Sequence, residues 1–182
     1  MRVVIAGVAG VGKSTVLEEV RKATSYEIIN FGTLMFEMAK SMDLVKSRDE
    51  IRNLNVETQM NLQKKAANAI GQMENVIIDT HMSIRGKQGF LPGLPEWVIR
   101  ELKVSEYFLL EAESAEILRR RQSDTSRTRD GESLEDIALH QEINRMFAVS
   151  YAVYTGATVS IIKNGDNGVK EASEEILRRF NK

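Results

Sequence analysis

Short runs of β-branched and aromatic residues alternate along the chain with longer segments in which apolar positions return every three or four residues. The runs are Val3-Val4-Ile5, Glu27-Ile28-Ile29, Val76-Ile77-Ile78, Tyr107-Phe108-Leu109-Leu110 and Thr158-Val159-Ser160-Ile161-Ile162. Each is short and nearly free of polar residues, which is how a strand reads when both faces of its sheet are covered. The intervening segments predict helices over about 13–23, 33–43, 48–71, 94–102, 114–122, 133–154 and 169–180. In the third of these, Ile51, Leu54, Thr58, Leu62, Ala66 and Ala69 form one apolar stripe. Ser133 and Asp136 have capping-box spacing and start the sixth sharply. Strands alternating with helices predict an α/β fold of three layers, a five-stranded parallel sheet with helices on both faces. The helix from Ile137 to Tyr154 is apolar on more than one face. It fits an element wedged between the sheet and a neighbouring subunit, and equally one buried within a single domain.

Composition narrows this picture. A chain of 182 residues is the length of one domain, residues 1–182, with small appended flaps. The formal net charge is −1, so no bulk positive field exists for nucleic acid or an anionic membrane, and no nucleic-acid or membrane partner is expected. There is no cysteine, which removes disulfides and thiolate metal sites. No stretch approaches the roughly 20 apolar residues of a membrane span, and the short apolar N-terminus breaks at Gly7, unlike a signal peptide. A soluble, cytoplasmic protein is expected.

The chemistry begins where the first strand ends. Gly7-Val8-Ala9-Gly10-Val11-Gly12-Lys13-Ser14 matches G-x-x-x-x-G-K-[ST] between a strand and a helix. Glycines let successive backbone N–H groups curl inward, and the following helix points its positive end at the same spot. Lys13 would reach the β- and γ-phosphates of a nucleoside triphosphate, the Ser14 hydroxyl would ligate Mg²⁺, and Thr15 lies within reach of the α-phosphate. Asp79 ends the apolar run Val76-Ile77-Ile78 and supplies the acidic partner for the same metal.

Other motifs divide the nucleotide-binding classes. Asn164-Gly165-Asp166-Asn167 is not the N-K-x-D of guanine recognition, and Asp79-Thr80-His81-Met82 is not the D-x-x-G of a GTP switch. Position 80 is Thr, where ATP-driven motors place a catalytic glutamate. An arginine-rich segment points instead to a small phosphotransferase. Arg119, Arg120 and Arg121 end one helix, and Arg127 and Arg129 follow in a polar stretch from about 122 to 132 that reads as a short lid. Guanidinium groups closing over a transferring phosphoryl group stabilise its charge and exclude water, which makes Arg120, Arg127 and Arg129 catalytic candidates. Basic residues at a helix C-terminus also complement its dipole, a reading that suits Arg119 and Arg121 equally well.

With these motifs stand Ile28-Ile29-Asn30-Phe31-Gly32-Thr33-Leu34-Met35, Lys46-Ser47-Arg48-Asp49-Glu50-Ile51-Arg52, Gly89-Phe90-Leu91-Pro92-Gly93-Leu94-Pro95, Arg127-Thr128-Arg129-Asp130 and His140-Gln141-Glu142-Ile143-Asn144-Arg145. Over essentially its whole length the chain resembles the archaeal-type adenylate kinases, a family of P-loop nucleoside monophosphate kinases. The resemblance implies a P-loop kinase fold, Mg²⁺-dependent conversion of ATP and AMP to two ADP, and often a homotrimer. It places the monophosphate between helices at about 31–72, with Phe31, Gly32 and Thr33 as adenosine contacts, although Thr33 could equally be an N-cap. Position 36 is Phe, where most bacterial and eukaryotic relatives carry an arginine. Arg48, Arg52 and Arg85 are therefore the candidates for the AMP phosphate, the first two expected on one helix face. His81 would position substrate by a hydrogen bond. The alternatives are a kinase for another nucleoside monophosphate or small metabolite, and a nucleotide-switched assembly factor.

Overall fold

In a computed structural model, residues 1–123 and 133–180 are described. Five strands, β1 (Arg2–Gly7), β2 (Glu27–Asn30), β3 (Val76–Asp79), β6 (Glu106–Glu111) and β7 (Thr158–Lys163), form one sheet in the order β2-β3-β1-β6-β7. All neighbouring pairs are parallel, as the alternating pattern predicts. Period-two side-chain alternation sorts β1 between two cores. Val4 and Ala6 join α2 (Phe31–Ser41), α3 (Val56–Gly71), α4 (Glu96–Leu102) and α6 (Leu134–Thr155) on one face. Val3 and Ile5 join α1 (Lys13–Ala23) and α7 (Val169–Phe180) on the other. Helix α5 (Ser114–Ser123) follows β6 and contributes Ile117 to that second core.

Several sequence expectations are corrected. The helix expected over 48–71 is broken: a 3₁₀ turn spans Arg48–Asn53, and α3 starts only at Val56. Asn55 interrupts it by accepting the Thr58 backbone N–H at 2.8 Å, a capping geometry that competes with helix continuation. Because a 3₁₀ turn advances 120° per residue, Arg48 and Arg52 do not share a face. The buried stripe of α3 is Leu62, Ala66, Ala67 and Ile70, with Ala69 only half-buried. An antiparallel hairpin, β4 (Ser83–Gly86) with β5 (Gly89–Pro92), occupies a stretch in which no strand was expected. Helix α2 begins at Phe31 and α4 at Glu96, each offset by two residues from the sequence estimate.

The capping box at Ser133 forms as spaced, with Asp136 N–H donating to Ser133 Oγ at 3.1 Å and Ser133 N–H to Asp136 Oδ2 at 3.1 Å. One turn further on, the Gln141–Arg145 segment clasps α6 to the sheet. The Gln141 amide meets Ala112 twice, its NH₂ donating to the carbonyl at 3.1 Å and its oxygen accepting the N–H at 3.3 Å. Arg145 forks onto buried Glu111 through Nε and Nη2, both at 2.6 Å. Burial works to raise the Glu111 carboxyl, and the guanidinium of Arg145 outweighs it and holds the carboxyl below its usual range. Buried Asn144 accepts both the Ser83 N–H at 3.1 Å and the Ser83 hydroxyl at 2.7 Å, tying the hairpin to α6. The outer face of α6 tells another story: Met146, Val149 and Val153 are exposed, Val153 at 82%.

Replacing Asn144 with Leu strands two buried donors on Ser83, each costing about 1–3 kcal/mol. Urea denaturation should show a loss of about 2–4 kcal/mol, partly recovered when Ser83→Ala is added because the hydroxyl no longer needs a partner.

Candidate functional site

The site forms at the carboxyl edge of the sheet, where β1, β2 and β3 end side by side. Gly7 closes β1, residues 8–12 make the turn, and Lys13 opens α1. Val8 and Val11 are buried and anchor the loop in the core, so that its backbone rather than its side chains faces the cleft. Gly12 has φ +89°, and a Cβ there would stand 2.6 Å from Asn164 Nδ2. Both conformation and space therefore demand glycine. The same Asn164 amide donates to Val11 O at 2.7 Å.

The loop is also gripped from behind by α5. Arg120 Nη1 donates to Val11 O at 3.3 Å and to Asn164 O at 3.1 Å, and its Nη2 meets Asp166 Oδ1 at 3.0 Å. Arg119 pairs with the same Asp166. Arg121 is buried and its Nε donates to Ala9 O at 2.7 Å. Arg120 and Arg121 are thus part of the phosphate loop's wall, a role that dipole complementation alone does not describe, whereas Arg119 reaches Asp166.

Strand register decides what faces Lys13. Ile5 on β1 pairs with Asp79 on β3, so the carboxylate stands two residues short of the glycine turn. Lys13 Nζ pairs with Asp79 Oδ1 and donates to Thr80 O at 2.6 Å. Asn30 on β2 pairs in register with Asp79, and its Nδ2 donates to Asp79 Oδ2 at 2.7 Å. Asn30 Oδ1 accepts the Thr33 N–H at 2.9 Å, the Thr33 hydroxyl at 3.0 Å and Arg48 Nη2 at 3.4 Å. Asn30, not Thr33, is therefore the N-cap of α2. Gly32 leaves room for this arrangement, since a Cβ there would lie 2.6 Å from Arg48 Nη2.

Ser14 and Asp79 both line a cleft of about 480 Å³ that also includes Asn30 and Thr33. A hydroxyl and a carboxylate are hard oxygen donors of the kind Mg²⁺ accepts when substrate phosphates and water complete its shell. The donor set fits that ion. Glu111 ends β6 with the same apolar-run-then-acid pattern as Asp79, but Arg145 and Lys163 seal it. Asp79 stays at the cleft.

Other candidate residues are distributed around this centre. Ser14 and Thr15 are exposed on the first turn of α1, whereas Phe31 is 5% exposed and belongs to the core beneath α2. Arg52 lies exposed on the 3₁₀ turn. Arg85 sits on β4 and pairs with Asp136 at 2.8 Å, which directs it to the start of α6. Arg127, Arg129 and most of the expected lid fall in 124–132, outside the described residues. Asn30 escaped the sequence reading, yet Glu27-Ile28-Ile29-Asn30 repeats the pattern of Val76-Ile77-Ile78-Asp79, an apolar strand ending in a polar side chain.

His81 follows Asp79 by two residues. It is exposed by area, yet protein atoms crowd around its ring. Desolvation there, then the charge of Lys13, push the imidazole down to about 4 against the opposing pull of Asp79. His140, tilted against Phe90 at 5.0 Å between ring centroids, is lowered by burial as well. The His81 imidazole is thus neutral at pH 7. An NMR titration of His81 should give a midpoint near 4; one near 6.5 would contradict the environment described. Because the unfolded chain takes up this proton first, the contribution of His81 to stability falls as the pH drops from about 6.5 toward 4.

Comparison with known proteins agrees with this geometry. A family described as an AAA domain matches residues 6–138. The chain is 53% identical to an adenylate kinase of Thermoplasma acidophilum over 98% of this chain and 97% of the relative. It is 49% identical to an adenylate kinase of Methanocaldococcus jannaschii, with 96% and 95% covered. Among solved structures, the fold is similar to a shikimate kinase of Acinetobacter baumannii in complex with shikimate, with a TM-score of 0.63 at 12% identity over 98% of this chain and 92% of that one. A shikimate kinase of Aquifex aeolicus gives 0.58 at 18% identity, with 100% and 96% covered. At such low identities these structures speak for the P-loop kinase fold alone. The near-full-length relatives decide the family: the chain belongs to the archaeal adenylate kinases.

Proposed function

We propose that the protein transfers the γ-phosphoryl group of ATP to AMP in a reversible, Mg²⁺-dependent reaction that gives two ADP. The observation that carries this reading is the chain of contacts from Lys13 through Asp79 and Asn30 to Thr33 and Arg48, which joins a phosphate-binding loop to a second anion-handling element. In this reading the backbone from Gly7 to Gly12 and the side chains of Lys13 and Thr15 bind the donor phosphates. Ser14 and Asp79 would hold Mg²⁺, which would supply charge neutralisation of the donor phosphates. Gly32, Thr33 and Phe31 shape the start of the acceptor site between helices at about 31–72, and Arg48, Arg52 and Arg85 are its cationic residues. An oxygen of the AMP phosphate attacks the γ-phosphorus while the bond to the β-phosphate oxygen breaks. That attacking oxygen is already anionic near neutral pH and needs no base. His81, neutral at pH 7, positions rather than titrates.

Lys13 pairs with Asp79 and donates to Thr80 O. Donor binding on this account moves its ammonium to the phosphates. Arg127 and Arg129, from the lid at about 122–132, close over the transferring group, and Arg120, a catalytic candidate in the sequence, acts instead by holding the phosphate loop from behind. We place the protein in the cytoplasm. The exposed Met146, Val149 and Val153 on α6 support assembly into a homo-oligomer, a trimer by family resemblance. Among the described residues no helix is long and apolar enough to cross a membrane.

The deciding experiment mixes pure protein with Mg·ATP and each nucleoside monophosphate in turn and follows diphosphate formation. AMP-dependent ADP production is expected, and its absence overturns the reading. A preference for CMP or UMP reassigns the acceptor. Lys13→Met should lower kcat by at least about a hundredfold while circular dichroism and the thermal transition stay near wild type. Retained turnover would mean that the phosphate loop does not act as described.

A further inference from the structure

The amide of Asn30 is used at both ends, and its orientation has one chemical solution. Toward β3 it faces a carboxylate, which only accepts, so the NH₂ must point there; toward α2 it faces an N–H, a hydroxyl and a guanidinium, so the oxygen must point there. We infer that Asn30 is a positioning residue for phosphoryl transfer, one that orients the Asp79 carboxylate with one hand and the Arg48 guanidinium with the other, and so sets the donor and acceptor halves of the site in register. The inference rests on the adenylate kinase reading and deepens it.

Three features support more than a helix cap. A cap needs only the side-chain oxygen, whereas here the NH₂ also makes a 2.7 Å charge-assisted bond to Asp79 Oδ2. That bond occupies one carboxylate oxygen and leaves Oδ1 as the atom shared with Lys13, so the carboxylate does not rotate when Lys13 departs. The third feature is Gly32, where any Cβ would displace Arg48 from Asn30. Arg48 arrives from the 3₁₀ turn, 18 residues along the chain, and its guanidinium donates to Asn30 Oδ1 at 3.4 Å.

Two variants separate this role from capping. Asn30→Ser keeps a good cap but loses the donor to Asp79 and the reach to Arg48. Asn30→Asp is isosteric, keeps the cap and the acceptor for Arg48, and sets a carboxylate oxygen against Asp79. Three quantities are measured: the AMP Kd by calorimetry without metal or donor, the Mg²⁺ concentration for half-maximal turnover, and the Asp79 carboxyl ¹³C shift in the ligand-free protein. Asn30→Ser should raise the AMP Kd about tenfold or more, raise the Mg²⁺ requirement, and move the Asp79 signal. Asn30→Asp should leave the AMP Kd within about threefold, yet shift both the Mg²⁺ requirement and the Asp79 signal. If both variants match wild type in all three, Asn30 is only a cap and the inference falls. If wild type itself neither binds AMP nor forms ADP, the enzymatic reading fails instead, and the Asp79 signal still decides whether Asn30 orients the carboxylate.

Discussion

The ion pair between Lys13 and Asp79 is the constraint around which the site is arranged. Both groups are largely shielded, with side chains 15% and 18% exposed, so each would be costly to leave without its partner. The pairing depends on strand register, because Ile5 and Asp79 are opposite one another in adjacent parallel strands. A slip of one residue would turn Asp79 to the other face of the sheet and exchange Val76 and Ile78 for Ile77 between the two cores. The hydrophobic layers thereby fix the electrostatics: apolar side chains on both faces leave β1 and β3 one register, and that register delivers the carboxylate to the lysine.

Around this pair the molecule supplies a rigid back and a more adjustable front. Behind the phosphate loop, Arg120, Arg121 and Asn164 bind carbonyl oxygens of Val11 and Ala9, which turns these acceptors away from the cleft, while the Val11 N–H closes the turn on Val8 O at 3.2 Å. In front, Asn30 and Arg48 link the carboxylate to α2 through exposed or half-buried bonds. The clasp of Gln141, Asn144 and Arg145 holds α6, and with it the β4–β5 hairpin, against β6. That hairpin carries Arg85 toward the first turn of α6.

What the sequence revealed depended on how local each signal was. The phosphate loop and Asp79 are legible because strand, turn and helix are contiguous and each dictates its own residue types. The same locality hid Asn30, whose meaning lies in a register partner 49 residues away. Arg85 and Arg121 are indistinguishable from surface cations until Asp136 and Ala9 are brought beside them by the fold. The Asn55 break was readable in principle as a capping residue followed three positions later by Thr58, but the apolar stripe running across it suggested one continuous helix. The hairpin between Ser83 and Pro92 shows little alternation because nearly all of its residues are exposed, and it packs through Phe90 on His140 and Ser83 on Asn144. The motif from Gln141 to Arg145, specific as a family mark, acquires its physical meaning as a clasp only once Ala112, Ser83 and Glu111 stand opposite it.

On the proposed mechanism the Lys13–Asp79 pair has to open before the ammonium can meet the donor's phosphates. Calorimetry of ATP binding with and without Mg²⁺, on wild type and on Asp79→Asn, tests this most directly. Asp79→Asn should bind metal-free ATP about tenfold more tightly than wild type, because Lys13 no longer has to leave a carboxylate, and Mg²⁺ should then strengthen binding far less than in wild type. Metal-free ATP binding that is unchanged or weakened by the substitution would contradict that mechanism.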